Sequence, residues 1–297
     1  MTGKPGPPPD PTSATQLRAL FRRHSFRPRR SLGQTFLVDA NIVRKIVSAA
    51  AISPGDSVLE VGPGAGAVTQ HLLRAAGRVA AIEIDRVLVE VLKETVGESA
   101  EVICADVLAV PLEELLGQPP GRPWKVVANL PYSITGPAIL RLLEARRRIS
   151  DMIVMVQAEV AERLAAPPGS RKRGWLTVVT EIGCETNLIG RVSRNCFWPR
   201  PGVDSAILRL AVRRPPLVAA DRESVLHEVV KAAFATRRKT VLNALSHAVN
   251  LGLSKEAART LLESCGVQPD LRAEALSAQD FLRLAEAVGT TPEGRSP

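Results

Sequence analysis

Cysteine is scarce: 297 residues contain four, and no two form a C-x-x-C pair. Cys104, Cys184, Cys196 and Cys265 are too scattered for a zinc-binding set or a disulfide framework, so reduced thiols and no bound metal are expected. Cys104 and Cys184 lie in apolar runs and read as small core residues. No apolar run reaches the roughly 18 to 20 residues that a spanning helix needs. The opening MTGKPGPPPDPTSATQ lacks the apolar stretch of a secretory signal. A cytoplasmic protein with no membrane contact is therefore expected. There is a single tyrosine.

What the chain does have is an ordinary globular balance, 45% hydrophobic and 23% charged, and enough length for a large domain with a smaller one. Its net charge of +9 is unevenly spread. Residues 1–30 hold Lys4, Arg18, Arg22, Arg23, Arg27, Arg29 and Arg30 against Asp10 alone, a surplus of +6. Residues 31–212 and 213–297 add only +1 and +2. A basic N-terminal arm of this kind suits a polyanionic partner, because it releases the counterions condensed on phosphates. A tail that only aids solubility is the plainer alternative.

Residues 1–13 are rich in Pro and Gly and are expected to be disordered, with a short basic helix from Gln16 to His24. Asp39 is a good N-cap for a helix that carries Ile42, Val43, Ile46, Val47 and Ala50 on one face. Buried strands are then expected at 58–62, 79–84, 101–106, 125–129 and 152–157, most of them separated by amphipathic helical segments. That alternation predicts an α/β fold, a parallel, doubly wound sheet with ligands at the carboxyl ends of its strands. LTVVTEIGC and SAILRLAV show β-branched alternation and are expected to be antiparallel strands closing the sheet. RRPP (213–216) reads as a linker to a small all-helical domain. The expected division is an arm over 1–30, an α/β domain over 31–212 and a helical domain over 213–297.

The first strand runs into Glu60-Val61-Gly62-Pro63-Gly64-Ala65-Gly66, a turn whose glycines let the backbone approach a ligand. Its G-x-G-x-G spacing departs from the G-x-G-x-x-G of dinucleotide enzymes. The second strand ends in Glu83, placed to accept hydrogen bonds from both hydroxyls of a ribose. The third ends in Asp106, placed to reach an adenine amine. The three ends together describe a nucleoside pocket rather than a pyrophosphate cradle.

The fourth strand ends Asn129-Leu130-Pro131-Tyr132. An exocyclic amine on a purine is a poor nucleophile, since its lone pair is delocalised into the ring. Two acceptors, the Asn129 side-chain oxygen and the Pro131 carbonyl, can take its two hydrogens and aim the lone pair at the methyl of a sulfonium donor. Tyr132 offers a flat face for the base, a stacking worth on the order of 1–3 kcal/mol. An unpaired adenine is the easier substrate, because a paired one must first be flipped out.

At this point the chain resembles one family over roughly residues 26–288, the bacterial ribosomal RNA adenine dimethyltransferases that act near the 3′ end of 16S rRNA. The resemblance rests on LGQTFLVD (32–39), EVGPGAG (60–66), AIEID (81–85), ADV (105–107), NLPY (129–132), MVQAEVAER (155–163), FWPRPGVDS (197–205), FATRRKT (234–240) with Asn243, and RAEALS (272–277). It implies a Rossmann-like methyltransferase sheet using S-adenosylmethionine, with Thr35, Leu37, Gly62, Gly64, Glu83, Asp106 and Asn129 around the cofactor. Phe197 would cover the target base opposite Tyr132, and Arg237, Arg238 and Lys239 would touch rRNA phosphates from the helical domain. The implied product is N6,N6-dimethyladenosine at two adjacent adenines of a terminal hairpin loop, formed on the immature 30S subunit by a monomeric enzyme. Two positions depart from the family pattern: Thr35 stands where Asn is usual, and Arg173-Gly174-Trp175 replaces a Tyr-Gly pair, a change expected at the rim of the RNA cleft. A macrolide-resistance methyltransferase acting on 23S rRNA is the nearest rival, although FATRRKTVLNAL and RAEALS favour the small-subunit enzyme. A ribosome-assembly factor with dispensable catalysis is a rival from another class.

Overall fold

The computed structural model describes residues 8–29, 33–117 and 122–288. They divide into two compact units, one of residues 1–161 with 187–212 and the other of residues 162–186 with 213–297. The division differs from the expected one in two respects, since the N-terminal segment belongs with the α/β unit and residues 162–186 belong with the helical unit.

The strands are β1 (Phe36–Leu37), β2 (Ser57–Val61), β3 (Arg78–Glu83), β4 (Glu101–Cys104), β5 (Trp124–Asn129), β6 (Ile149–Gln157), β7 (Cys184–Val192), β8 (Phe197–Trp198) and β9 (Ser205–Val212). Seven form one sheet in the order β4-β3-β2-β5-β6-β9-β7. Its β4-β3-β2-β5-β6 part is parallel and β9 runs antiparallel to β6, as expected for SAILRLAV. A separate antiparallel ribbon pairs β1 with β8. The inner strands are apolar on both faces, as Val58, Leu59, Val126, Val127 and Ile153 illustrate, because helices cover the sheet on both sides.

The helices of this unit are α1 (Ala14–Arg23), α2 (Ala40–Ala49), α3 (Thr69–Ala75), α4 (Arg86–Val96), α5 (Leu112–Leu116), α6 (Thr135–Glu144) and the start of α7 (Ala158–Leu164). Asp39 caps α2 by accepting from the amides of Asn41 and Ile42, and Asp85 caps α4 through the Val87 amide. The basic helix α1 is not a loose arm. Leu17, Leu20 and Phe21 are buried among Phe26, Phe36, Ala65 and Leu88, and Phe21 meets Phe26 and Phe36 edge-on at 4.6 and 4.7 Å. Three of the arm's cations are engaged: Arg18 lies over the Trp198 ring, Arg23 pairs with Glu94, and Arg29 pairs with Asp85 at 2.7 Å. The expected disorder of residues 1–7 lies outside the described residues. Beyond them Pro9 is held, its carbonyl accepting from Gln70 Nε2 at 3.0 Å.

LTVVTEIG is a helix, α8 (Trp175–Gly183), and the strand that follows it is β7. β-branched content suggested a strand, but Thr177, Val178, Val179, Thr180 and Ile182 are all buried, and an apolar run enclosed on every side carries no period-two signal to separate strand from helix. The Thr177 hydroxyl accepts from the Gly174 amide and donates to the Arg163 carbonyl, fixing the first turn. Arg173 is buried within this second unit. It donates to the Ala166 carbonyl and pairs with Glu181 at 2.6 Å, so it braces α8 and is not the rim residue expected. The rest of the unit comprises α9 (Glu223–Phe234), α10 (Val241–Ser246), α11 (Lys255–Ser264) and α12 (Ala278–Val288), with Val229, Leu245, Leu262 and Phe281 at its centre.

Candidate active site

Parallel register places the carboxyl ends of β2, β3, β4 and β5 side by side, with Val61 level with Ile82 and Ala128, and Glu83 level with Cys104. A cleft of about 1040 Å³, counted to its open mouth, lies along these ends. All seven expected cofactor residues line it: Thr35, Leu37, Gly62, Gly64, Glu83, Asp106 and Asn129. Pro11 and Leu17 line it too, a contribution that the charge pattern of the N-terminus concealed.

Two glycines shape the floor. Gly62 has φ +71° and a Cβ there would stand 3.2 Å from the Asn129 carbonyl oxygen, whereas at Gly64 (φ +57°) it would stand 3.1 Å from the Phe36 ring. A side chain at either position would displace the wall of the cleft, so the loop keeps room for a ligand by having none.

Glu83 lies at the back with little exposure. Its Oε2 accepts from the Gly64 amide at 3.2 Å and its Oε1 from the Asp85 amide at 3.0 Å. Burial pushes its carboxyl above the usual range and the Asp85 charge adds to this, against the lowering effect of the Asp85, Gly64 and Ile84 amides. A carboxylate has about four acceptor sites, so two remain for ribose hydroxyls. Asp85 in turn, despite a burial that acts to raise it, is held below the usual carboxylate range by hydrogen bonds from Gln34, the Val87 amide and Arg29. This cluster ties Arg29 and Gln34 to Asp85 beside the cleft, since Gln34 also accepts from the Arg29 amide. Asp106 accepts from the Leu108 amide at 2.9 Å through Oδ1.

Glu60, one step before the glycine loop, was not anticipated as a site residue. It lines the cleft at 2% exposure and its Oε2 has no hydrogen-bond partner among the described residues. Burial pushes its carboxyl up to about 8, with the Glu83 charge acting in the same direction and Thr69 against it. An orphaned buried acid facing a cleft fits a ligand that brings its own donors. With two glycines without Cβ, one acid positioned for a ribose and another for an amine, the residues present fit S-adenosylmethionine.

The Asn129 corner differs from expectation in one atom. The Pro131 carbonyl already accepts from the Ile134 amide at 3.1 Å and the Thr135 hydroxyl at 3.2 Å, which occupies both of its lone pairs. The Leu130 carbonyl, one residue earlier, accepts no hydrogen bond among the described residues. Tyr132 is half-buried, and its hydroxyl meets Ser205 Oγ at 2.8 Å, so β9 pins the ring. Ser205 was legible only as part of the FWPRPGVDS run. Phe197 is not at the cleft. It is 4% exposed and packed among Leu37, Val43, Ile46 and Ile207, level with Leu37 across the β1–β8 ribbon. Arg237, Arg238 and Lys239 are exposed in the turn between α9 and α10, where Arg237 donates to the Arg171 carbonyl.

A doubly wound sheet whose strand ends combine a nucleoside cleft with an Asn-Leu-Pro-Tyr corner defines an S-adenosylmethionine-dependent methyltransferase of Rossmann-like fold. Residues 25–289 match the family model described as ribosomal RNA adenine dimethylase. The chain is 44% identical to ribosomal RNA small subunit methyltransferase A of Pelotomaculum thermopropionicum over 284 residues, covering 93% of this chain and 96% of the relative. Among solved structures it is similar to a dimethyladenosine transferase from Plasmodium falciparum, with TM-score 0.69, 28% identity and coverage of 84% of this chain and 95% of that one. It is also similar to the 23S rRNA methyltransferase ErmE, with TM-score 0.64, 28% identity and coverage of 86% and 100%. The chain belongs to the ribosomal RNA adenine dimethylase family.

Proposed function

We propose that the protein dimethylates N6 of two adjacent adenines in the 3′-terminal hairpin loop of 16S rRNA, acting in the cytoplasm as a monomer on the immature 30S subunit and without a metal. The observation that carries this reading is the Asn129 corner: one residue lines the cofactor cleft and also begins a segment whose acceptors suit an adenine amine. When bound, S-adenosylmethionine supplies an electrophilic methyl on a sulfonium.

The chain's own residues do the rest. Glu83 and Asp106 hold the ribose and the adenine of the donor. The Asn129 side-chain oxygen accepts one hydrogen of the target amine, and the Leu130 carbonyl, in place of Pro131, accepts the other. With both hydrogens held, the nitrogen lone pair turns out of the ring plane toward the cleft. Tyr132, steadied by Ser205, stacks on the base. The methylated amine is cationic and releases its proton readily, so no strong general base is needed. Arg237, Arg238 and Lys239, on the helical unit, neutralise rRNA phosphates.

The high identity to relatives named for the small subunit supports 16S over 23S rRNA. Incubation with labelled donor and separate 30S and 50S particles tests it, followed by mass spectrometry of the nucleosides. Dimethyladenosine from 30S particles is expected; label confined to 50S particles overturns the assignment, and binding without label favours an assembly factor.

A further inference from the structure

The helical unit contains a second groove, separate from the cofactor cleft; it shares Lys239 with the basic turn and Ala235, Thr236 and Asn243 with the motifs quoted above. It lies between α9 and α10 and has a cavity volume of about 450 Å³, within the roughly 300–1,000 Å³ range of small-ligand clefts. Its composition is divided. Ala232, Ala235, Ala244 and Ala248 form the apolar part, and their small side chains are what leave the depth. Lys231 and Lys239 contribute cations that make no ion pair among the described residues. The groove's one acid, Glu228, already accepts a hydrogen bond from the Asn250 side chain. His247 donates from Nδ1 to the Asn243 carbonyl at 2.7 Å, which leaves Nε2 for a ligand, and Asn243 adds an amide.

An apolar floor, two lysines against one glutamate, and amide and imidazole groups at the edge suit the phosphate and the base of a nucleotide. A protein partner would more often present apolar side chains to a groove with larger apolar residues, whereas none here exceeds alanine. We propose that this groove holds one unpaired nucleotide of the RNA substrate, its phosphate at Lys231 and Lys239, its base on the alanine floor and its polar edge at Asn243 and His247. The inference rests on the rRNA reading above and adds a holding site on the helical unit to it.

The test uses full-length protein, protein-free 16S rRNA and immature small-subunit particles. The variants are K231Q/K239Q, which removes the charge, and A235L, which fills the floor from an exposed position; parental melting temperature and donor affinity show that each is folded. Both are expected to bind protein-free 16S rRNA about tenfold more weakly. The lysine variant alone should reduce the slope of log K against log salt, by roughly 0.7 for each phosphate that is no longer neutralised. Ultraviolet crosslinks from the bound rRNA should map to residues 231–250 in the parent and vanish in A235L. Unchanged affinity and slope overturn the proposal. So does a loss seen on particles but not on protein-free rRNA, which would assign the groove to a ribosomal protein. Failure of the parent to methylate 16S rRNA would instead refute the functional reading, whatever these variants do.

Discussion

Replacing Glu60 by glutamine isolates the buried acid of the cofactor cleft. In the unfolded chain its carboxyl titrates near 4.5, and in the folded protein burial pushes it up to about 8. The folded state therefore binds the proton more tightly than the unfolded one, so this group's contribution is most favourable below pH 4.5 and is lost as pH rises toward 8. At about 1.36 kcal/mol per pK unit, Glu60 lowers stability by about 3 kcal/mol at pH 7 and about 4–5 kcal/mol above pH 9, relative to acid conditions. Glutamine cannot ionise and so removes the slope. Its amide would occupy the place of an Oε2 that has no partner, costing about 1–3 kcal/mol, so the absolute stability at one pH decides nothing. The informative measurement is urea unfolding in steps from pH 5.5 to 7.5, read by hydrogen exchange of β2 and β5 amides so that the first unit alone is followed. Glu83 is also raised, but it is present in both proteins and largely cancels in the difference. The parent should lose up to about 1.4 kcal/mol more per pH unit than Glu60→Gln. Identical slopes would mean that Glu60 is ionised and compensated in the folded protein, and the account of the cleft floor would fail.

Asn129→Ala should reduce methyl transfer at least 100-fold while rRNA binding stays within twofold; retained turnover would exclude the proposed grip on the amine. Ser205→Ala frees the Tyr132 hydroxyl and should lower kcat about fivefold, in line with a lost hydrogen bond of about 1 kcal/mol, as steady-state kinetics would record. Gly64→Ala should weaken donor binding about tenfold by calorimetry, because its φ of +57° disfavours a Cβ that would also meet Phe36. Deleting residues 1–23 should destabilise the first unit by several kcal/mol, since Leu17, Leu20 and Phe21 are buried at about 1.5–3 kcal/mol each; an unchanged melting temperature would show that α1 is dispensable.

Much of this site could be read without coordinates, for a physical reason. Gly62, Gly64, Glu83, Asp106 and Asn129 each lie at or just beyond the end of a parallel strand, although the edge strand β4 is only partly covered and its Cys104 is exposed rather than in the core, and parallel register in a doubly wound sheet carries successive strand ends to one edge. Local signals of that kind, strand period, glycine spacing and an acid at a strand end, lie within a few residues of each other along the chain. Tertiary structure decided whatever depends on neighbours distant in sequence. LTVVTEIG is a helix whose burial hid the period that would have told it from a strand, α1 became core because Phe36 and Leu88 receive its apolar face, and Phe197 turned inward across from Leu37. Glu60 could be read as part of a glycine motif, but its altered proton affinity comes from complete burial beside Glu83, which no stretch of sequence displays. Which carbonyl at the Asn129 corner stays available was settled by Ile134 and Thr135 closing a turn on Pro131, a hydrogen-bond competition that exists only once the chain is folded.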